Sequence, residues 1–573
     1  MLQTLTTPRG ETLSGTPWQV YPRPQMRRDS YINLNGEWDF AVSSEKPATF
    51  DMGITVPFCP ESRLSGIGRH FEEGAPLWYR RKFVLPEGFR RERVLLHIGA
   101  ADQTAEVFVN GQHLCRHEGG YASFSVDITE ALAEENELVI RCTDDLRDQA
   151  FPYGKQVRNR GGMWYTPVSG IWQTVWLESV PEAYIEKLNI ENHGASVTIS
   201  MVPPLEGTVS VEQLGQFPLE NGRVTIAPEN PRFWCPDNPY LYRFALETAQ
   251  DRVESYFAIR SLEIKKVGEY PRLCLNGNPW FFHGLLDQGY WPEGLLTAPA
   301  PESYADDILA MKNLGFNTLR KHIKVEPEEF YYQCDRLGMI VWQDMVNNGS
   351  YRYFRDTVLP TVGIQKRNDR CLHRDERSRN AFRQGAADAV NQLKNHPCIC
   401  YWTIFNEGWG QFDSDQVCRW FRALDATRFI DTTSGWFRGK NTDVDSRHQY
   451  FGKLRLKGDG LRPLVLSEFG GKTWRVEGHI FNPDKTYGYG ACPTKEALNE
   501  AVATLYRESI LPAVEKGLCA AIYTQVSDVE DEVNGLMTYD RRVVKPDGDT
   551  MLPIAQALRD AMEKTVASFE KMG

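Results

Sequence analysis

Long apolar runs are missing from this chain. No stretch approaches the roughly 18 consecutive apolar residues that a membrane-spanning helix needs, so no membrane partner is expected. Residues Met1 to Gly10 carry neither an apolar core nor a small-residue cleavage pattern, and the expectation is a cytoplasmic protein without a secretory leader. Patterned cysteine is missing too. The 12 cysteines are scattered and none stands in C-x-x-C spacing. That argues against a structural zinc and against a disulfide framework; scattered thiols read as small buried hydrophobes in a reducing compartment. Basic residues are in deficit: 65 Lys and Arg against 76 Asp and Glu, a net charge of −11. Nucleic acid and anionic membrane both want a basic face, so neither is expected as a partner.

Aromatic side chains are plentiful, at 12% of the chain with 15 Trp. They suit a protein that stacks flat ligand faces, and they also suit β-rich domains. The 573 residues allow about three to four domains of ~150 residues, or fewer if one is a large barrel.

Residues 1–180 read as all-β. Short β-branched or aromatic runs, such as Trp78 to Val84, Val94 to Ile98 and Ala105 to Val109, alternate with turn clusters. Asn110-Gly111 is a two-residue hairpin signal, because both residue types tolerate φ > 0. This spacing predicts a jelly-roll β-sandwich. Residues 181–262 carry shorter strands between Pro-rich joints and fit one small Ig-like β-sandwich. From 263 to 573 strand-like runs alternate with amphipathic helices, and eight candidate strands can be marked, from Phe281-Phe282-His283 to Leu518–Tyr523. That pattern predicts a (β/α)8 TIM barrel, with helices short or absent after strands five and six.

A barrel places its active site at the C-terminal strand ends. Those ends give His283 and Asp287, Arg320 and His322, Gln343 and Asp344, Asn406 and Glu407, Trp436, His448 and Tyr450, Glu468, then Gln525 and Asp528. Glu407 and Glu468 stand out, since each closes an apolar run. Alone, Glu407 reads equally well as a helix cap or an ion-pair partner. Two carboxylates facing each other across a barrel mouth are what glycosidic bond cleavage requires: one protonates the leaving oxygen, the other attacks the anomeric carbon or activates water. Asn406 is the expected hydrogen-bond partner of a sugar hydroxyl. Trp291, Trp402, Trp409, Trp436 and Trp474 are candidate stacking platforms, although buried Trp is common in cores. Lys321 and Lys324 read as solvated surface charge.

His396-Pro397 to Asn406-Glu407, Leu466-Ser467-Glu468-Phe469-Gly470, Arg160 to Tyr165 and Gly170 to Gln173 together resemble glycoside hydrolase family 2, the group of β-galactosidases, β-glucuronidases and β-mannosidases. The resemblance covers nearly the whole chain. It implies a retaining exo-glycosidase acting by double displacement on a carbohydrate substrate, with Glu407 as acid/base, Glu468 as nucleophile and carboxyl groups roughly 5 to 5.5 Å apart. Tyr450 is expected to hydrogen-bond Glu468, while Asn406, Trp436, Asp287, His283, Arg320, Asp344, Trp474 and Gln525 are the expected sugar-binding set. No cofactor or metal is implied, and a homodimer fits the family. Two departures stand out. Arg320-Lys321-His322-Ile323-Lys324 replaces the Arg-x-x-His-Tyr of well-known members. Near strand eight, Glu532 to Leu536 stands where glucuronidases carry Asn-x-Lys; a hexuronate carboxylate wants a cation there, so a β-glucuronidase is disfavoured and a β-galactoside is the first expectation. β-Glucoside, β-mannoside, α-L-arabinofuranoside and β-galactofuranoside stay open. The competing classes are a carbohydrate-binding protein without catalysis and a metal-dependent hydrolase using His283, His322, His448 and Asp344.

Overall fold

The computed structural model describes residues 2–570 except 362–363, 365–367, 371, 438, 453 and 455. Cys371 therefore lies outside the described residues. The other 11 cysteines are free thiols, most of them buried. No described helix is long and apolar enough to cross a membrane.

Two antiparallel sheets face each other in the N-terminal part. One has four strands, in the order Tyr31–Asn33, Val175–Val180, Arg93–Ile98, Phe124–Asp127. The other has six, in the order Met52–Val56, Gly36–Val42, Leu77–Phe83, Asn136–Thr143, Thr104–Val109, Gln112–Glu118. Alternate residues of each strand point inward, so Trp38, Phe40, Tyr79, Leu96, Val107, Ile140 and Leu177 fill the space between the sheets. The Asn110-Gly111 turn forms as expected, with φ of 50° and 82°. A second, smaller pair of antiparallel sheets spans Lys187–Phe257 around Ile199, Val209, Leu246 and Phe257.

The barrel has eight parallel strands: β1 (Phe282–Asp287), β2 (Thr318–Lys321), β3 (Ile340–Asp344), β4 (Ile399–Asn406), β5 (Phe429–Ser434), β6 (Asp445–Gln449), β7 (Leu464–Gly470) and β8 (Leu518–Thr524). Every residue of β4 is buried, as a strand covered on both faces requires. Helix α1 (Glu302–Asn313) follows β1, α2 (Glu328–Leu337) follows β2 and α3 (Glu376–Leu393) follows β3. Helix α4 (Ser414–Leu424) follows β4; among the described residues no helix follows β5 or β6. The sheet runs β5-β4-β3-β2-β1-β8-β7-β6. No ladder joins β5 to β6 among the described residues, and side chains bridge that seam instead: Ser434 Oγ meets Ser446 Oγ at 3.4 Å and the His448 ring at 3.1 Å.

The alternation read from residue 263 starts later than the sequence pattern suggested. Gly268-Glu269 and Asn276-Gly277 turn the chain back on itself, so Leu262–Val267, Tyr270–Leu275 and Asn278–Pro279 make a small antiparallel sheet. Its Arg272 reaches the carbonyl of Leu518 at the start of β8 (3.0 Å). The domains share one core. Tyr121, Tyr165 and Trp172 of the first sandwich belong to the same buried cluster as Leu285, Trp342 and Phe405 of the barrel.

The strand that carries Glu407 is anchored at its start by a buried ion pair. His396 Nδ1 lies 2.6 Å from Asp335 Oδ2 at the end of α2, Tyr256 of the second sandwich donates to the same oxygen (2.8 Å), and Cys398 N donates to Asp335 Oδ1 (2.7 Å). Burial opposes the imidazolium, but the Asp335 carboxylate and, farther off, Glu328 overcome it and raise the His396 pKa to about 9. The folded state therefore keeps a proton that the unfolded chain releases. The contribution, on the order of 3 kcal/mol, is full below about pH 6.5 and is lost as pH rises through about 9. His396→Gln is expected to lower the thermal midpoint at pH 6 and to converge with the wild type by pH 10, as measured by calorimetry across that range.

Candidate active site

Glu407 leaves the end of β4 in a left-handed conformation, φ 52°, followed by Gly408 at 74°. Its N–H donates to the carbonyl of Ser434 on β5 (3.1 Å). A non-glycine residue held there stores strain, a feature that clusters at functional sites. Glu468 sits on β7 within an irregular stretch between Leu466 and Phe469, where the register against β8 shifts, and such a shift re-aims a side chain. An oxygen of Glu407, an oxygen of Glu468 and a ring nitrogen of His448 all lie within 4.8 Å of one another.

The two carboxylates have different surroundings. Glu468 is fully buried: Arg320 Nη1 donates to Oε1 at 3.0 Å and the Tyr450 hydroxyl to Oε2 at 2.5 Å, with His448 Nδ1 3.5 Å away. Burial alone raises its pKa, but the nearby His448, Arg320 and His322 and the hydrogen bond from Tyr450 outweigh burial and hold it at about 2. Glu407 is partly exposed to the cavity and its Oε1 meets His448 Nδ1 at 2.8 Å.

Arg320, with no solvent exposure, organises the floor. Besides Glu468 it donates to Asp344 Oδ1 (3.0 Å), Asn406 Oδ1 (2.9 Å) and the Ser467 carbonyl (3.0 Å). Asp344 Oδ2 meets His322 Nδ1 at 2.7 Å. Burial presses the Asp344 pKa upward; Arg320 and His322 prevail and it is lowered. Burial brings His322 down to about 4, against the pull of Asp344, so His322 is neutral near pH 7 and donates from Nδ1. Above this floor opens a cavity of about 510 Å³ lined by Asn406, Glu407, Trp436, His448, Tyr450 and Glu468, and also by Gln288, His322, Tyr487, Tyr489, Thr524 and Glu532. Lys155 and Met163 reach it from the first sandwich.

The expected sugar-binding residues divide. Asn406, Trp436 and Tyr450 line the cavity beside the two glutamates, and Arg320 and Asp344 lie beneath it. His283 does not reach it. The strand runs on four residues past His283, so the imidazole sits at its buried N-terminal end, bonded to Tyr506 Oη (3.0 Å) and the Gly315 carbonyl, with burial lowering its pKa to about 4. Asp287 is at the correct strand end but is taken by Lys321 (2.7 Å); its neighbours Leu286 and Gln288 line the cavity in its place. Gln525 is fully buried against Asn534, and Trp474 packs on the barrel core. Lys321 and Lys324 are buried, not solvated: Glu326 binds both at 2.9 and 2.8 Å. With His283 in the core, the His283–His322–His448 metal trio does not assemble. Among the described residues the grouping with metal-ligand spacing is Glu407, His448 and Glu468. Lys155 and Met163 lay outside the strand-end reading altogether, although Met163 stands in the Arg160 to Tyr165 run that carried the family resemblance.

Two family models match the chain: the TIM barrel domain of glycosyl hydrolases family 2 at residues 272–483 and the galactose-binding domain-like part of glycosyl hydrolase 2 at residues 70–162. A β-galactosidase of Thermoanaerobacter pseudethanolicus is 24% identical over 66% of this chain and 52% of its own. Among solved structures, a β-glucuronidase of an uncultured Clostridium sp. superposes with a TM-score of 0.71 at 18% identity, over 95% of this chain and 100% of its own. A β-galacturonidase of Eisenbergiella tayi bound to galacturonate superposes at 0.68 and 17%, over 95% and 99%. The chain belongs to glycoside hydrolase family 2. It spans about half the length of the curated relatives it first matches.

Removing the floor cation exposes its importance directly. Arg320→Met leaves Asp344 and Glu468 buried without their counter-ion, and the expected loss is about 3 to 5 kcal/mol of folding stability, measured by urea unfolding at pH 7.

Proposed function

We propose that this protein is a retaining exo-glycosidase that releases a terminal β-linked sugar from an oligosaccharide or glycoconjugate. The observation that carries the reading is the carboxylate pair. Its oxygen-to-oxygen approach within 4.8 Å accords with the roughly 5 to 5.5 Å of retaining enzymes and falls short of the ~6.5 to 9.5 Å that an inverting enzyme needs for its water. Glu468, held ionised by Arg320 and Tyr450, attacks the anomeric carbon. The bond to the leaving oxygen breaks as Glu407 gives that oxygen its proton. Glu407, now a carboxylate, takes a proton from water, and the resulting hydroxide equivalent displaces Glu468 from the sugar. Asn406, its Oδ1 committed to Arg320, has its amide N–H groups left for a sugar hydroxyl.

Two readings of the sugar are supported. A β-galactoside rests on the β-galactosidase relative. A β-hexuronide rests on the uronidase neighbours and on Lys155, which lines the cavity with no carboxylate within 4 Å of its ammonium among the described residues. The cation that a hexuronide carboxylate wants need not come from near β8, since Lys155 enters the cavity from another domain. A panel of chromogenic glycosides decides between them. Lys155→Met is expected to raise KM for a hexuronide roughly tenfold or more and to leave a neutral hexoside unchanged; no difference between the two removes the hexuronide reading.

Glu468→Gln is expected to retain less than about 0.1% of wild-type kcat on the best substrate, and full activity in that variant would sink the reading. Tyr450→Phe removes one of the donors that keep Glu468 ionised. The Glu468 pKa then rises from about 2, and the acidic limb of kcat/KM moves to higher pH by about one to two units.

A further inference from the structure

His448 is built into the mouth of the barrel more firmly than a sugar contact requires. The register between β6 and β7 shifts between Arg447 and His448, turning the ring toward the cavity. Gly435, at φ 90°, makes room for it: a Cβ there would stand 2.3 Å from the ring's Cγ. The side chain is fully covered. Its Nε2 faces Arg320 Nη1 at 3.3 Å and Ser434 Oγ at 3.1 Å. A guanidinium only donates, so Nε2 accepts, and the hydrogen of the neutral ring is on Nδ1. That N–H points at Glu407 Oε1, 2.8 Å away. No described residue bonds the other oxygen, Oε2, which belongs to a side chain open to the cavity.

We infer that His448 is a positioning residue for the acid/base carboxyl, one that decides which of its oxygens carries the proton. An oxygen that accepts from Nδ1–H cannot also hold a hydrogen along the same line, so the carboxyl proton of Glu407 resides on Oε2, the oxygen presented to the leaving group. Once that proton has moved to the glycosidic oxygen, the same N–H stabilises the carboxylate left behind and keeps it aimed for deprotonating water. His448 itself neither gains nor loses a proton in the cycle; Arg320 behind it fixes the tautomer. The inference rests on the glycosidase reading.

Leaving groups separate this role from a structural one. A 2,4-dinitrophenyl glycoside departs without protonation, whereas a phenyl glycoside of the same sugar needs the acid. His448→Ala is expected to lower kcat/KM for the phenyl glycoside roughly ten- to a hundredfold and to change that for the dinitrophenyl glycoside far less. His448→Gln, whose amide can still donate, is expected to restore part of the loss on the phenyl substrate. Ser434→Ala, which keeps the ring and removes a contact to Nε2, is expected to give a smaller split in the same direction and supplies the test should His448→Ala not fold. Equal losses on both substrates, or no loss on either, in an otherwise active protein overturn the inference alone. A wild type inert on both substrates and indistinguishable from Glu468→Gln overturns the glycosidase reading and this inference with it.

Discussion

The guanidinium of Arg320 has no solvent exposure, and the arrangement above it follows from that fact. An unpaired charge at such depth is prohibitively costly. Arg320 is therefore surrounded by acceptors drawn from different strands: Asp344 from β3, Asn406 from β4, and Glu468 with the Ser467 carbonyl from β7. Satisfying one ion thus fixes the relative positions of several strand ends. It also keeps Glu468 negative, because two carboxylates against one buried cation have stable geometry only when the donors around them, including His322 and Tyr450, are in place.

The two glutamates then differ for reasons of location alone. Glu468 is enclosed and donor-saturated, and Glu407 meets one ring N–H on one side and open cavity on the other. Chemistry that asks one carboxyl to be a base-like nucleophile and the other to give up a proton needs this inequality. Here the fold supplies it by enclosing one carboxyl among donors and leaving the other at the cavity.

Much of this was legible in the sequence because buried parallel strands are written as continuous apolar runs. Tyr401 to Phe405 could be read as β4, and a polar residue closing such a run is conspicuous; Glu407 and Glu468 were found that way. The hairpin at Asn110-Gly111 was legible for a similar reason, since its backbone demands those residue types. Strand length was less legible. β1 extends to Asp287, and stopping it at His283 moved a core imidazole into the site. Lys321 and Lys324 could not be read at all, because their burial depends on Glu326, a partner that no local pattern identifies. The same holds for Lys155, whose place in the cavity is decided by how one domain docks on another.

That docking is tight around the segment that carries Lys155. Tyr153 bonds the Gly349 carbonyl, Tyr165 bonds Glu532 at 2.5 Å, and the ring of Trp164 meets that of Trp409 edge-on at 5.0 Å. The sandwich residues that line the cavity, Lys155 and Met163, therefore lie within the same short segment as the residues that seal sandwich to barrel. Tyr153 precedes Lys155 by two residues, and Trp164 and Tyr165 directly follow Met163, so the backbone that presents this wall is held by the joint between the domains. A barrel severed from its sandwich would lose Lys155 and Met163 from its cavity wall along with the contacts that brace them.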